Sequence, residues 1–181
     1  AFAGGAKPNL QPVRLGTIVD SVLTHAAPHA RVLDASVEVD SSLESVHLSC
    51  DPLQIERALL NLVLNAVDAA GPRGRVGIRA GGPVRGGECG TEDNLFSILI
   101  EDNGPGIDAA ALPKIFDPFF TTKECGTPSG PHSGLGLAIV HRIVELHGGR
   151  IRAGNRAGTP VRPGGGAVFV LSLPRYSEPA S

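Results

Sequence analysis

Apolar residues in LGTIVDSVLTHAAPH, from Leu15 to about His29, recur at the spacing of an amphipathic helix, and Pro28 predicts its end. RVLDASVEVD and VHLSC then alternate with β-branched residues and predict strands. Asp51 is placed as an N-cap, with Pro52 at the first helical position and Glu56 soon after. The helix it opens, PLQIERALLNLVLNAVDAAG, ends at Gly71 with Pro72 beyond. RVGIRA predicts a strand, GGPVRGGECGTEDN a flexible hairpin connection, and LFSILIED a strand buried on both faces. From Asn103 to Ser133 no long regular pattern is found, which in a compact domain marks a functional or a disordered segment. SGLGLAIVHRIVELHGG predicts a helix that begins and ends in glycines, and GRIRAGN and AVFVLSLP two closing strands. The expected fold is α/β (α+β): a two-layer sandwich with a mixed sheet of about five strands packed on three helices. Residues 1–12 are expected to be a linker, 13–176 the domain and 177–181 a tail.

Composition narrows the partners. The chain is 41% hydrophobic and 19% charged, with no Trp and one Tyr, so Ala, Val and Leu must fill the core. A net charge of −2 gives no global basic field for nucleic acid or an anionic membrane. No apolar run reaches the roughly 20 residues of a membrane span, and AFAGGAKPNLQ lacks the pattern of a signal peptide. Cys50, Cys89 and Cys125 are odd in number and without CxxC spacing, which speaks against disulfides and zinc and leaves the cytoplasm as the expected compartment. The absence of Met leads to the expectation of a piece of a longer chain.

Three stretches can carry chemistry. In EDNGPGID, Asp102 ends the apolar strand beside Gly104 and Gly106. A carboxylate there can read a hydrogen-bond donor such as the adenine amine, or the stretch is a plain strand-to-turn exit. In SGLGLAIV, glycines open a helix whose free N–H groups and positive dipole end suit phosphates, or they serve tight packing. Neither GxGxxG nor GxxxxGK is present. In LLNLVLNAVDAA, Asn61 and Asn65 share a helix face and Asp68 follows. Such amides ligate magnesium beside phosphate oxygens, or make interhelical hydrogen bonds. A fourth stretch, KIFDPFFTTK, sets half of the six phenylalanines on an irregular segment.

In this order, LLNLVLNAVDAA, EDNGPGI, IFDPFFTTK and SGLGLAIV closely resemble the catalytic ATP-binding domain of bacterial sensor histidine kinases, the lid wording being most similar to the nitrogen-regulation type. The resemblance spans roughly residues 10 to 175, and the wider superfamily takes in gyrase-type, mismatch-repair and chaperone ATPases. It implies that Asp102 accepts from the adenine amine in a pocket shaped by Gly104 and Gly106. It implies Asn65 as the ligand of Mg2+, Asn61 near the phosphates, Gly134 and Gly136 as backbone donors to them, and Lys123 approaching the terminal phosphate. The ATP site it implies also includes Asp68, Ile107, Phe120, Ser133, Leu135 and Leu137, with Asn61 and Lys123 as the catalytic residues. Residues from about Asp108 to Ser133 would form a mobile lid. Phe116, Phe119 and Phe120 would anchor that lid or face the helix bearing the phosphoacceptor histidine.

Two departures stand out. ECGTPSGPHS separates Lys123 from the glycines where such lids pass in a few residues. None of His25, His29, His47, His132, His141 and His147 lies in an HExxxP-like setting. The phosphoacceptor is therefore expected on separate dimerisation helices, with a response regulator downstream and no nucleic acid or membrane contact by this chain, itself expected to be a monomer. The alternatives are a serine kinase of the anti-sigma-factor type and a degenerate nucleotide-sensing module.

Overall fold

The computed structural model describes residues 7–81, 94–121, 134–156 and 165–177. Among the described residues, seven strands and three α-helices follow in the order β1 (Gln11–Arg14), α1 (Leu15–Val32), β2 (Ser36–Val39), β3 (His47–Cys50), α2 (Pro52–Ala70), β4 (Arg75–Gly81), β5 (Leu95–Asp102), α3 (Gly136–Leu146), β6 (Arg150–Asn155) and β7 (Ala167–Pro174). Five strands form one mixed sheet in the order β2-β4-β5-β7-β6. Only the β2–β4 pair is parallel. β1 and β3 make a separate antiparallel pair.

The helices cover one face of the large sheet. α2 is the central helix, touching α1 and α3 and lying on β4 and β5. Its apolar stripe, Ile55, Leu59, Leu62, Ala66 and neighbours, is buried. On β5 and β7 the inward residues are Ile98 and Ile100, and Phe169, Leu171 and Leu173. The opposite face of β5 carries Ser97, Leu99 and Glu101. Ser97 shares a 2.9 Å hydroxyl contact with Ser172, and Glu101 lies 3.3 Å from Arg79 and 3.7 Å from Arg156. Burial of β5 on both faces is thus met only in part, because a two-layer fold gives its outer face to charged side chains.

Two local expectations are corrected. α1 runs through Pro28 to Val32, so RVLDASVEVD begins as helix and only Ser36–Val39 is strand. Proline removes one N–H, but Ala26 and Ala30 are buried against the core and hold the helix across it. β1 lies where an irregular approach was expected; Gln11 and Pro12 pair with Cys50 and Ser49. Asp51 caps α2 as expected, its side chain accepting from Gln54 N at 3.2 Å.

Candidate functional site

The C-terminal end of β5, the exposed side of α2 and the start of α3 enclose a cleft of about 520 Å3. Its polar lining includes Asp102, Asn61 and Asn65; its apolar lining includes Ile107, Ala111, Ile115, Phe120, Leu137 and Phe169.

Asp102 is the last residue of β5 and only 2% exposed. Its Oδ1 accepts from Gly104 N at 2.8 Å and from Ala167 N at 3.2 Å. Among the described residues Oδ2 has no hydrogen-bond partner. Burial raises the carboxyl above its ordinary value of 3.8, against the opposing pull of the two N–H donors and Arg156. Gly104 does not line the cleft; a Cβ there would collide with the Ala69 carbonyl, so this glycine lets the loop after β5 close onto α2.

Asn61 and Asn65 stand one turn apart on α2, and neither amide has a hydrogen-bond partner among the described residues. Gly136, the first residue of α3, faces them: a Cβ there would lie 3.8 Å from Asn61 Oδ1 and 4.0 Å from Asn65 Nδ2. The N-cap residue, Leu135, has no capping side chain to offer this helix start. Along α2, at ~1.5 Å per residue, the level of Ala69 and Asp102 is about 6 Å from Asn65 and about 12 Å from Asn61. A carboxylate acceptor and a helix N-terminus are therefore separated by roughly the length between a nucleobase and its phosphates.

The loop from Asn103 to Thr121 forms a fourth wall. It is anchored rather than loose: Asp108 accepts from Ala110 N at 2.7 Å, residues Leu112–Lys114 make a 3-10 turn, and Ala111 and Ile115 are buried. Within the segment expected to be a lid from about Asp108, this half sets Ala111 and Ile115 into the core. Phe116 packs on the core and lies 5.4 Å from the His141 ring, and Phe120 packs there too. Phe119 is 66% exposed with φ 69°, and its N–H donates to Gly134 O at 3.0 Å. A Cβ on Gly134 would sit 2.6 Å from the Phe119 carbonyl carbon, so only glycine fits this contact.

Of the sequence-derived residues, Asn61, Asn65, Asp102, Gly106, Ile107, Phe120, Gly134, Gly136 and Leu137 are brought to the cleft. Asp68 is not; its Oδ1 lies 2.6 Å from His29 Nε2 and ties α1 to α2. Leu135 lies just outside the lining, its carbonyl accepting from Ile139 N. Lys123 and Ser133 fall outside the described residues. Sequence reasoning missed Ala69, Asp108, Ala111, Ile115, Thr121, Ala167 and Phe169, which line the cleft, and Asn155, which supports it. Small and apolar residues carry no chemical signal of their own, and Asn155 looked like a strand end.

The chain is 39% identical over 167 residues to the signal transduction histidine-protein kinase AtoS and 34% identical over 165 residues to the sensor histidine kinase ZraS, both of Escherichia coli strain K12. Each match covers 91% of this chain but 24% and 31% of those proteins, so the chain spans about a quarter to a third of its curated relatives. Among solved structures, the catalytic domain of histidine kinase ThkA superposes with a TM-score of 0.71 at 28% identity, covering 92% of this chain and 96% of that one. Full-length ShkA in complex with AMPPNP gives 0.73 at 27% identity, covering 98% and 34%. ThkA in complex with the response regulator TrrA gives 0.71 at 25%, covering 93% and 42%. The helix-and-sheet sandwich, its cleft and a family match over residues 50–177 agree: this chain belongs to the histidine kinase-, DNA gyrase B- and HSP90-like ATPase family.

Proposed function

We propose that this chain is the ATP-binding catalytic module of a two-component sensor histidine kinase, passing the γ-phosphoryl group of ATP to a histidine on a separate helical domain. The observation that carries the reading is the buried Asp102, whose Oδ2 lacks a partner among the described residues, set along α2 from the glycine-opened start of α3. Asp102 accepts from the adenine amine, and Ile107, Phe120 and Phe169 bury the base. The N–H groups opening α3 receive the phosphates, favoured by the helix dipole. The unpaired amides of Asn61 and Asn65 suit a hydrated Mg2+ better than a caged metal. No group of three His, Cys, Asp or Glu that could hold a metal is found among the described residues. Asn65 would supply one oxygen ligand, and the ion would spread phosphate charge during transfer. Lys123 and Ser133 join the phosphate end on the strength of the resemblance alone.

Asn61 stands where the hydrolytic members of the superfamily carry a water-activating glutamate, and an amide is no useful base near neutral pH. Transfer then depends on positioning and charge stabilisation. Sensor histidine kinases are the relatives matched, which favours a histidine over a serine acceptor. A response regulator is the downstream partner proposed, as for ThkA and TrrA. No helix among the described residues is long and apolar enough to cross a membrane. With labelled ATP, the chain alone is expected to show very slow hydrolysis and no self-labelling. Adding a histidine-bearing dimerisation domain is expected to give weak transfer in trans, since the pieces are not held at high effective concentration. Robust turnover by the chain alone would instead mark a gyrase- or chaperone-like ATPase.

A further inference from the structure

One side chain outside all four motifs holds the wall of the cleft. Asn155 ends β6, one of the two edge strands of the large sheet. It pairs with Ala167 on β7, and Ala167 N donates to Asp102 Oδ1. From this level its carboxamide reaches the loop after β5. Oδ1 accepts from Ile107 N at 2.7 Å, and Nδ2 donates to Ile107 O at 2.7 Å. The amide imitates a neighbouring strand, taking both backbone groups of one residue. Gly106, with φ 84°, sits so close that a Cβ would lie 2.8 Å from Asn155 Oδ1. Gly106 and Ile107 both line the cleft.

We propose that Asn155 is a positioning residue for the nucleotide: its carboxamide holds Gly106 and Ile107 in the geometry against which the base packs. This rests on the nucleotide reading above and adds a residue to it. The task requires a donor and an acceptor at once, which few side chains offer in so short a reach. An ionised aspartate accepts from Ile107 N but sets a second acceptor against Ile107 O. A protonated aspartate donates through its hydroxyl and restores both bonds. Leucine offers neither.

The test is calorimetric ADP affinity with Mg2+ for the unsubstituted chain, Asn155→Asp and Asn155→Leu, from about pH 8 to about pH 3, through the carboxylate range. Asp102, Asp108, Glu101 and Arg156 surround the site and are common to all three proteins, so the ratio of affinities at each pH is read. Asn155→Asp is expected to bind about tenfold more weakly at the alkaline end. Its deficit should close on acidification, while that of Asn155→Leu should persist. A purely structural role would lower affinity in both variants without this pH-dependent rescue. Equal affinity of Asn155→Asp and the unsubstituted chain at alkaline pH would overturn the proposal, as would a deficit that ignores pH. Absence of ADP binding by the unsubstituted chain would instead overturn the nucleotide reading beneath it.

Discussion

A buried carboxylate has two oxygens to satisfy, and among the described residues Asp102 has donors on Oδ1 alone. Its ionised form is therefore disfavoured in the folded chain, which is why burial raises its pKa. With the folded value raised above the unfolded one, the folded chain binds more protons between the two. The cost of ionising Asp102 is absent below 3.8 and grows as pH rises through the folded value. Asp102→Asn removes the buried charge and still presents an oxygen to Gly104 N and Ala167 N. Its ligand-free Tm is expected to rise by about 2–4 °C per kcal/mol gained. Its affinity for ATP should fall about ten- to a hundredfold, because the freed position becomes a donor facing the adenine amine. Differential scanning fluorimetry and calorimetry read the two effects separately, and a loss of both stability and affinity would contradict this account. Asp102 stood out in the sequence because an acid at the end of an apolar strand, beside glycines that let a ligand approach, can read a hydrogen-bond donor. Asp68 was misplaced because helical spacing put it near Asn65 without saying that His29 of α1 would claim it. Asn155 was illegible because its partner, the Ile107 backbone, lies 48 positions away.

At the level of elements, α2, α3 and β4 to β7 were readable because their periods, caps and glycine stops agree with one another. β1 was not, since QPVR has no alternation and forms only because β3 offers an edge. α1 shows packing overriding a local signal. Pro28 is exposed and sits inside the helix, so it contributes little burial and leaves the Thr24 carbonyl without its helical donor. Pro28→Ala is expected to stabilise the fold by about 1 kcal/mol after the entropy gained by the unfolded chain is set against the restored bond. Chemical denaturation should show a higher midpoint with an unchanged slope. A lower midpoint would mean that the proline shapes α1 in a way its neighbours need.

Across the whole molecule, the sheet order places β5 at the centre with β7 beside it, and lets four separate stretches of chain meet at one cleft. That convergence was expected from the ordered motifs, whereas the anchoring of residues 108–121 was not, because tucking Ala111 and Ile115 into the core depends on contacts distant in sequence. One contact in this region has a topological consequence. The hydrogen bond between Phe119 N and Gly134 O pins two points of the chain together, whatever lies between them. In polymer terms it is the knot of a noose, and the entropy of closing a noose varies only with the logarithm of its length. Doubling or halving the span from 120 to 133 changes that entropy by only ~0.6 kcal/mol. For a flexible closure of this kind, the extra residues that the sequence sets between Lys123 and the glycines would change the entropy by no more than that. Deleting residues 124–130 is expected to shift Tm by no more than about 2 °C, whereas Gly134→Ala, which unties the knot, should cost several times more.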